Sequence, residues 1–179
     1  MLLLDPILDG VFFHTRCAAH IINLSVQAGL PIIDPIRVEF KKMIKEVLCN
    51  NNKRINDYKK YCRSVNKKCL GPNLDCPTRW NSTWMMMHSA IRQRETLQAF
   101  HNRLYERGLV ESSYPNSKWE IVAKITDLLE VYKKATTYLS GVYYPTSNLV
   151  LNQVFLMATK LNEFEYGSEI FQEIGIAMK

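Results

Sequence analysis

The segment Leu74–Met87, with the sequence LDCPTRWNSTWMMM, joins a strongly basic half of the chain to a nearly neutral one. Its Pro77 favours extended backbone in the residue before it, which marks a turn. Three polar side chains can each cap a following helix by accepting hydrogen bonds from its first amides: Thr78, Asn81 and Ser82. We therefore expect Arg79 and Trp80 to lie at the start of a helix and close to the surface.

The neighbouring Arg79 and Trp80 have two interpretations. A planar guanidinium beside a large flat ring suits phosphate contact together with base stacking, which single-stranded or distorted nucleic acid requires. Alternatively, Trp80 and Trp84 are four residues apart and both anchor the core from one helix face. Spacing alone favours the core interpretation.

Composition predicts one soluble, intracellular domain. The chain has 179 residues with 47% hydrophobic content, which is enough for a single core. Its apolar runs are far shorter than the roughly 18 residues of a membrane span, and Met1–Leu4 lacks the features of a signal peptide. The cysteines are odd in number and scattered, so we expect reduced thiols. They are Cys17, Cys49, Cys62, Cys69 and Cys76.

Positive charge is concentrated in Arg37–Leu70. This segment holds eleven Lys or Arg and three acids, so its net charge is +8 and that of the remaining chain is −2. Such a block attracts phosphates, with an affinity that falls as salt rises. The candidate DNA contacts in it are Lys41, Lys45, Lys59, Lys60, Arg63, Lys67 and Lys68. The alternative is a solvated helix face with no nucleic-acid role.

Apolar periodicity predicts an all-α bundle of about six helices, with at most one short strand at the N-terminus. The first helix runs from Thr15 to a stop at Gly29, and Pro31 and Pro35 bracket a connector. Two basic helices follow, and we expect this pair to protrude as an arm. The single domain then has three parts: 1–35, the basic arm 36–72, and 73–179.

The second half of the chain is predicted to form three further helices. Gly108 ends a long one that follows the Arg79-Trp80 pair. Ser117 is a credible N-cap for the next, because Glu120 stands at capping-box spacing. Apolar positions through Leu161 indicate a last helix.

No stretch of the chain has the pattern of a complete active site. A Gly-rich phosphate loop, Gly-x-Ser-x-Gly and His-Glu-x-x-His are all missing from the sequence. Cys17 and His20 share a helix face and can supply two zinc ligands, with Cys69 or Cys76 to complete a set. A structural zinc site normally shows two close ligand pairs, however, and only one is present. We therefore expect no metal, no cofactor and no small-molecule substrate.

Three ordered stretches resemble hAT-superfamily transposases, especially the domesticated plant relatives called RICESLEEPER or DAYSLEEPER proteins. The first is His14–Leu30, which contains Cys17-x-x-His20. The second is Leu74–Trp84, similar to the family's Arg-Trp signature, and the third is Tyr144–Asn148. They follow in order between His14 and Asn148, so the resemblance extends over most of the chain.

The resemblance implies a helical insertion within an RNase H-like core, whose two Asp and one Glu bind divalent metal. In such transposases the Trp of the Arg-Trp signature stacks on a flipped base at the transposon end. Carried over, Trp80 would stack on the base and Arg79 would contact phosphate, while Trp84 stays in the core. Cys17 and His20 would form a packing pair near the catalytic centre.

The chain also departs from the family pattern. Neither the catalytic acids nor the amino-terminal BED zinc finger has a counterpart in it. We therefore expect a non-catalytic, nuclear, DNA-binding fragment of a transposase-like protein, which could also pair with a full-length relative. The alternative is a helical protein-interaction module without a nucleic-acid role.

Overall fold

The computed structural model describes residues 18–48, 52–69, 80–139 and 147–179, and every regular element within them is an α-helix. The all-α prediction is therefore confirmed. The helices are α1 (Ala18–Leu48), α2 (Asn52–Ser64), α3 (Trp80–Ile91), α4 (Arg94–Glu106), α5 (Asn116–Leu139), α6 (Ser147–Glu165) and α7 (Glu169–Met178). Within the described residues, no helix combines the length and the apolar character that crossing a membrane would need.

Helix α1 runs without interruption through Pro31 and Pro35, so the predicted stop at Gly29 and the connector after it are wrong. Each interior proline removes a backbone hydrogen bond and costs a helix about 3 kcal/mol. An apolar stripe stays in phase across both prolines, however, and its members Val26, Ile33 and Phe40 are fully buried. Burial of this stripe against the bundle, chiefly against α5 and α7, holds the helix together.

Gly29 allows α1 and α7 to approach closely. A Cβ atom at this position would lie 2.5 Å from Cγ of Met178 and 2.7 Å from its Sδ. At the same crossing, the hydroxyl of Ser25 donates a hydrogen bond to the carbonyl oxygen of Met178. The end of α7 is thus fixed on the first third of α1. Sequence periodicity did not predict α7.

The single long helix expected after the Arg79-Trp80 pair is divided into α3 and α4. The break lies at Arg92 and Gln93, where the Gln93 amide donates to the Ala90 carbonyl at 2.9 Å. The side chain of Gln93 is buried, and its Oε1 accepts a hydrogen bond of 3.3 Å from the Tyr58 hydroxyl. The predicted end is confirmed, because α4 stops at Glu106 and Gly108 follows with a φ of +65°.

Helix α5 supplies the centre of the core. Trp119 is fully buried and meets Phe40 edge to face at 5.1 Å, while its Nε1 donates to Oε1 of Gln98. Its helix begins at Asn116, so Ser117 lies inside the first turn and is not the N-cap that the capping-box spacing predicted. Asn81 and Ser82 likewise lie within α3.

The basic segment does not protrude from the bundle. Its first part continues α1, and α2 packs against α1 and α4. Tyr58 is fully buried and Cys62 nearly so, and the Tyr58 ring contacts the Phe100 ring edge to face at 5.3 Å. Tyr61 adds a second ring contact with Phe100 at 5.6 Å. Aromatic packing therefore fixes the orientation of α2.

Candidate nucleic-acid interface

Helix α2 has an apolar face turned to the bundle and a cationic face turned to solvent. Tyr58 and Cys62, four residues apart, share the buried side. The cations on the other side are exposed, and we call the following set the basic face: Lys53, Lys59, Lys60, Arg63, Lys67 and Lys68. Asp57 is the single acidic residue in 52–69. The packing of α2 thus presents a concentrated positive surface.

At its C-terminal end, the basic face encloses a depression of about 370 Å³, which we call the basic pocket. Four cations and two thiols line it: Lys59, Arg63, Lys67, Lys68, Cys62 and Cys69. Cations near a helix C-terminus are favoured by the exposed carbonyls of the last turn. Four of them around one depression attract an anion such as a phosphate group.

A left-handed residue folds the chain back to form this pocket. Asn66 has a φ of +53°, a conformation that asparagine tolerates better than most residues. The amide of Lys67 then donates to the Cys62 carbonyl at 2.9 Å, which closes the end of α2. Lys67 and Lys68 are brought beside Lys59 in this way.

The basic pocket has only weak competition from a nearby acid. Lys67 Nζ lies 3.7 Å from Oε2 of Glu95, and these side chains are 60% and 86% exposed. Ion pairs exposed to this degree contribute little and are screened by salt. A phosphate can therefore replace the Glu95 carboxylate as the partner of Lys67.

The two predicted contacts on α1 lie apart from the basic pocket. Lys45 is exposed and Lys41 is half-buried, and neither lines the pocket. Lys42, which was not among the candidates, faces two carboxylates, at 3.9 Å from Glu46 and 3.6 Å from Glu111. The structure thus gathers Lys59, Arg63, Lys67 and Lys68 around the pocket. It leaves Lys60 exposed outside the pocket and the α1 candidates as a separate group.

The indole of Trp80 belongs to the core, contrary to the expected surface position. Its exposed fraction is 6%, and its Nε1 donates a hydrogen bond of 2.9 Å to Oδ1 of Asn23 on α1. Sequence reasoning missed Asn23, because the two residues are 57 positions apart. A buried N–H with a partner of this quality favours the core interpretation that spacing had suggested.

Trp84 is the more exposed of the two indoles, and it is partly buried against the core. Its ring is half-buried and stacks on the His88 ring, with centroids 4.8 Å apart and planes at 15°. Nζ of Lys133 lies 5.0 Å from the ring centroid. Within the described part of the chain, its Nε1 has no hydrogen-bond partner.

The structure describes one of the three family-motif residues. His20 is exposed on α1, whereas Cys17 and Arg79 lie outside the described residues. In the ranges that the structure describes, no three His, Cys, Asp or Glu side chains are grouped so that they could hold a metal ion. The third family stretch also falls mostly outside those ranges.

A separate apolar groove of about 430 Å³ lies between α1, α5, α6 and α7. Ile21 and Ile22 form one wall, and Val154 and Met157 form another. The Tyr132 hydroxyl also lines the groove, and burial raises the pKa of this group. The groove has the character of a contact surface for an apolar partner.

Fold and surface together define a helical module with one anion-attracting face. Residues 15–128 match the family model described as the ZBED1 RNase-like helical domain. The chain belongs to this family.

Two maize proteins are among its relatives. The chain is similar to the putative AC transposase of Zea mays, with 30% identity over 142 residues, which is 79% of this chain and 17% of that protein. It is 34% identical to the putative AC9 transposase of Zea mays over 89 residues, 50% of this chain and 11% of that protein. The chain therefore spans less than a fifth of these relatives. No solved structure gave a significant match.

These similarities confirm the predicted relation to hAT-type transposases. The chain carries a transposase-derived helical domain of this type.

Proposed function

We propose that this domain binds DNA through the basic face of α2 and has no catalytic activity of its own. The observation that carries the proposal is the basic pocket, in which four exposed cations surround one depression. We place the protein among RICESLEEPER-like, transposase-derived proteins and in the nucleus, where such a domain meets DNA. We expect that the domain evolved to bind the ends of transposable elements.

The rigid attachment of α2 supports this role. Tyr58 and Cys62 are buried, so the helix keeps one orientation and the backbone positions that carry its cations are fixed relative to one another. Fixed cations lose less conformational freedom on binding than cations on a mobile segment. Lys41 and Lys45 on α1 would add contacts to a longer stretch of backbone.

Arg79 and Trp80 form the second part of the proposed site. Base stacking by Trp80 requires its indole to leave the hydrogen bond with Asn23. An extruded base would have to replace both that bond and the buried environment of the ring. We propose that Trp80 engages unpaired or hairpin DNA only by leaving its place in the core, whereas the basic face engages any phosphate backbone.

DNA affinity measured at about 50 and about 200 mM salt tests the basic face directly. With about five phosphates contacted, the slope of log K against log salt should be close to −4 or −5 for double-stranded DNA. The triple variant Lys59→Gln/Lys67→Gln/Lys68→Gln should bind at least about tenfold more weakly at low salt and reduce the slope by about 3.

The matched control removes the same charge elsewhere. Its three exposed lysines lie outside the basic face: Lys124, Lys134 and Lys179. Neutralising them to Gln should leave the affinity within about twofold of the unmodified protein, because specific contacts and not net charge carry the binding. An equal loss in both triple variants, or no binding at low salt, would contradict the proposal.

A protein-interaction module is the second candidate function, favoured by the exposed apolar side chains of α6. Leu151 is 80% exposed and Phe155 is 67% exposed. A full-length transposase-like protein is the partner we would test, by co-purification. Binding to that partner together with indifference to DNA at low salt would favour this second function.

An assay of metal-dependent DNA cleavage distinguishes both candidate functions from that of an active transposase. We assign no catalysis to the domain, because the resemblance matches none of its residues to the two Asp and one Glu of the RNase H-like core. Incubation with transposon-end DNA and Mg²⁺ should therefore give neither nicks nor hairpins.

A further inference from the structure

We propose that Cys62 and Cys69 are a thiol pair that a peroxide oxidises to a disulfide, and that this disulfide regulates the basic pocket. The disulfide site does not depend on the DNA-binding function proposed above. Its effect on DNA binding rests on the function proposed above.

Both thiols line the same depression, among its four cations. The Cys69 thiol also lies close enough to Cys62 to contribute to the raised pKa of the Cys62 thiol, behind the larger effect of burial. The left-handed Asn66 and the bond from the Lys67 amide to the Cys62 carbonyl hold the chain reversal that brings them together. The bridge requires that this turn adjust until the two sulfurs meet in the geometry of a disulfide.

The two cysteines differ in access to solvent, and this difference sets the order of the chemistry. Both cysteines line the pocket, but Cys62 is 1% exposed whereas Cys69 is half-buried. Burial also raises the pKa of the Cys62 thiol. Cys69 is thus the residue that meets the oxidant, and Cys62 is the residue that resolves the product.

Hydrogen peroxide is the oxidant that we name, and it balances the reaction. The Cys69 thiol gives up its proton, and the thiolate attacks one peroxide oxygen. The O–O bond breaks, a sulfenic acid forms, and the second oxygen leaves as hydroxide, which takes up that proton to become water. The Cys62 sulfur then attacks the Cys69 sulfur, the S–O bond breaks, and the hydroxyl leaves as water with the Cys62 proton. Two thiols lose two electrons and one peroxide becomes two waters.

The bridge would act on the pocket through the residues that it encloses. Lys67 and Lys68 lie between the two cysteines and both line the depression. A cross-link across their turn removes freedom that phosphate binding would otherwise have to remove, so the oxidised form should bind DNA about threefold more tightly than the reduced form.

Peptide mapping tests the modification without reference to DNA. The full chain is treated with hydrogen peroxide, its remaining thiols are alkylated, and tryptic peptides are identified by mass. We expect a disulfide-linked pair that joins Tyr61–Arg63 to Cys69–Arg79, lighter by two hydrogens than its reduced parts. The link should persist in Cys76→Ser, which removes the other cysteine of the second peptide, and disappear in Cys69→Ser.

Cys69→Ser is the informative variant because its side chain is half-buried, whereas replacement of the buried Cys62 could disturb folding. Alkylated Cys62 in the peroxide-treated protein, or a Cys69–Cys76 bridge in its place, would overturn the thiol-pair assignment.

DNA affinity of the reduced and oxidised forms tests the regulatory part. The oxidised protein should bind more tightly, and Cys69→Ser should show no response to peroxide. Equal affinities in the two forms would overturn regulation while leaving the disulfide site in place. If neither form binds DNA, the proposed function fails together with its regulation, and the mapped disulfide still decides the thiol pair.

Discussion

Trp80 and Asn23 show how a single polar atom can decide the position of a large ring. An indole N–H that leaves water needs an acceptor, and the Asn23 side chain supplies it at 2.9 Å. The bond also connects two of the stretches that carry the transposase resemblance. Sequence spacing could not identify Asn23 as the acceptor, because the two residues are 57 positions apart.

Asn23→Ala should destabilise the fold by about 1–3 kcal/mol, because the buried Trp80 N–H would lose its acceptor. Urea unfolding followed by tryptophan fluorescence measures the change. Asn56→Ala, at an exposed position on α2, is the matched control and should shift stability by less than about 0.5 kcal/mol. Equal effects of the two substitutions would show that the hydrogen bond contributes nothing particular.

At the scale of elements, the helix crossing of α1 with α7 depends on a missing side chain. Gly29 leaves room for Met178, which is only 1% exposed. The same glycine was interpreted from the sequence as a helix stop, since glycine is frequent in that position. A glycine that ends a helix and a glycine at a close helix crossing differ in the residues that pack against them. Those residues are known only from the tertiary structure.

Gly29→Ala should lower the unfolding free energy by about 1–2 kcal/mol, because the added methyl group overpacks the crossing by more than helix propensity returns. Gly175→Ala is the control, as its Cβ would meet its nearest neighbours at 3.5 Å. This second substitution should be neutral or stabilising by up to about 1 kcal/mol. Chemical denaturation measures the unfolding free energy of both variants. A Gly29→Ala variant that is more stable than the unmodified protein would contradict the proposal that α1 and α7 pack closely at Gly29.

Local rules predicted the helices well and their boundaries less well. Apolar spacing gave the helical class, and Gly108 gave the end of α4. The continuity of α1 was missed because the rule for proline is local, whereas the burial that overcomes it involves other helices. The break at Gln93 had no glycine or proline signal, and its buried contact with Tyr58 comes from another helix.

The candidate site was predictable to a similar degree. Charge counting identified Lys59 and its neighbours as surface cations, since they lie off the apolar stripe of α2. It could not predict the basic pocket, because that shape depends on the left-handed Asn66 and on the chain reversal that follows. Lys41 and Lys45 on α1 were included for their charge alone, and they lie apart from the basic pocket.

For the whole molecule, the two candidate surfaces lie toward different ends of α1. The apolar groove uses the helix from Ala18 to Ser25, whereas α2 contacts it near Glu46 through the Arg54 guanidinium, which donates to the Glu46 carbonyl at 2.8 Å. At 1.5 Å per residue, Ser25 and Glu46 are about 30 Å apart. DNA binding and association through apolar surface can therefore be altered separately.

On the exposed face of α6, outside the lining of the apolar groove, Leu151→Gln/Phe155→Gln should weaken association with the full-length transposase-like partner while leaving DNA affinity within about twofold of the unmodified protein. Both side chains are largely exposed, so the fold should tolerate the change. Sedimentation velocity measures association, and DNA titration measures binding. A coupled loss of both properties would show that the surfaces are not independent.

The contact of α1 with α7 also has a consequence for the order in which the protein is made. Helix α1 is made before the other described helices and packs most extensively on the last of them, so the part of its apolar face that α7 covers stays unburied while the intervening residues are synthesised. At about 5–20 residues per second, this interval lasts on the order of ten seconds or more. Nascent chains arrested before Met178 should therefore bind holdase chaperones, and release should coincide with the emergence of α7.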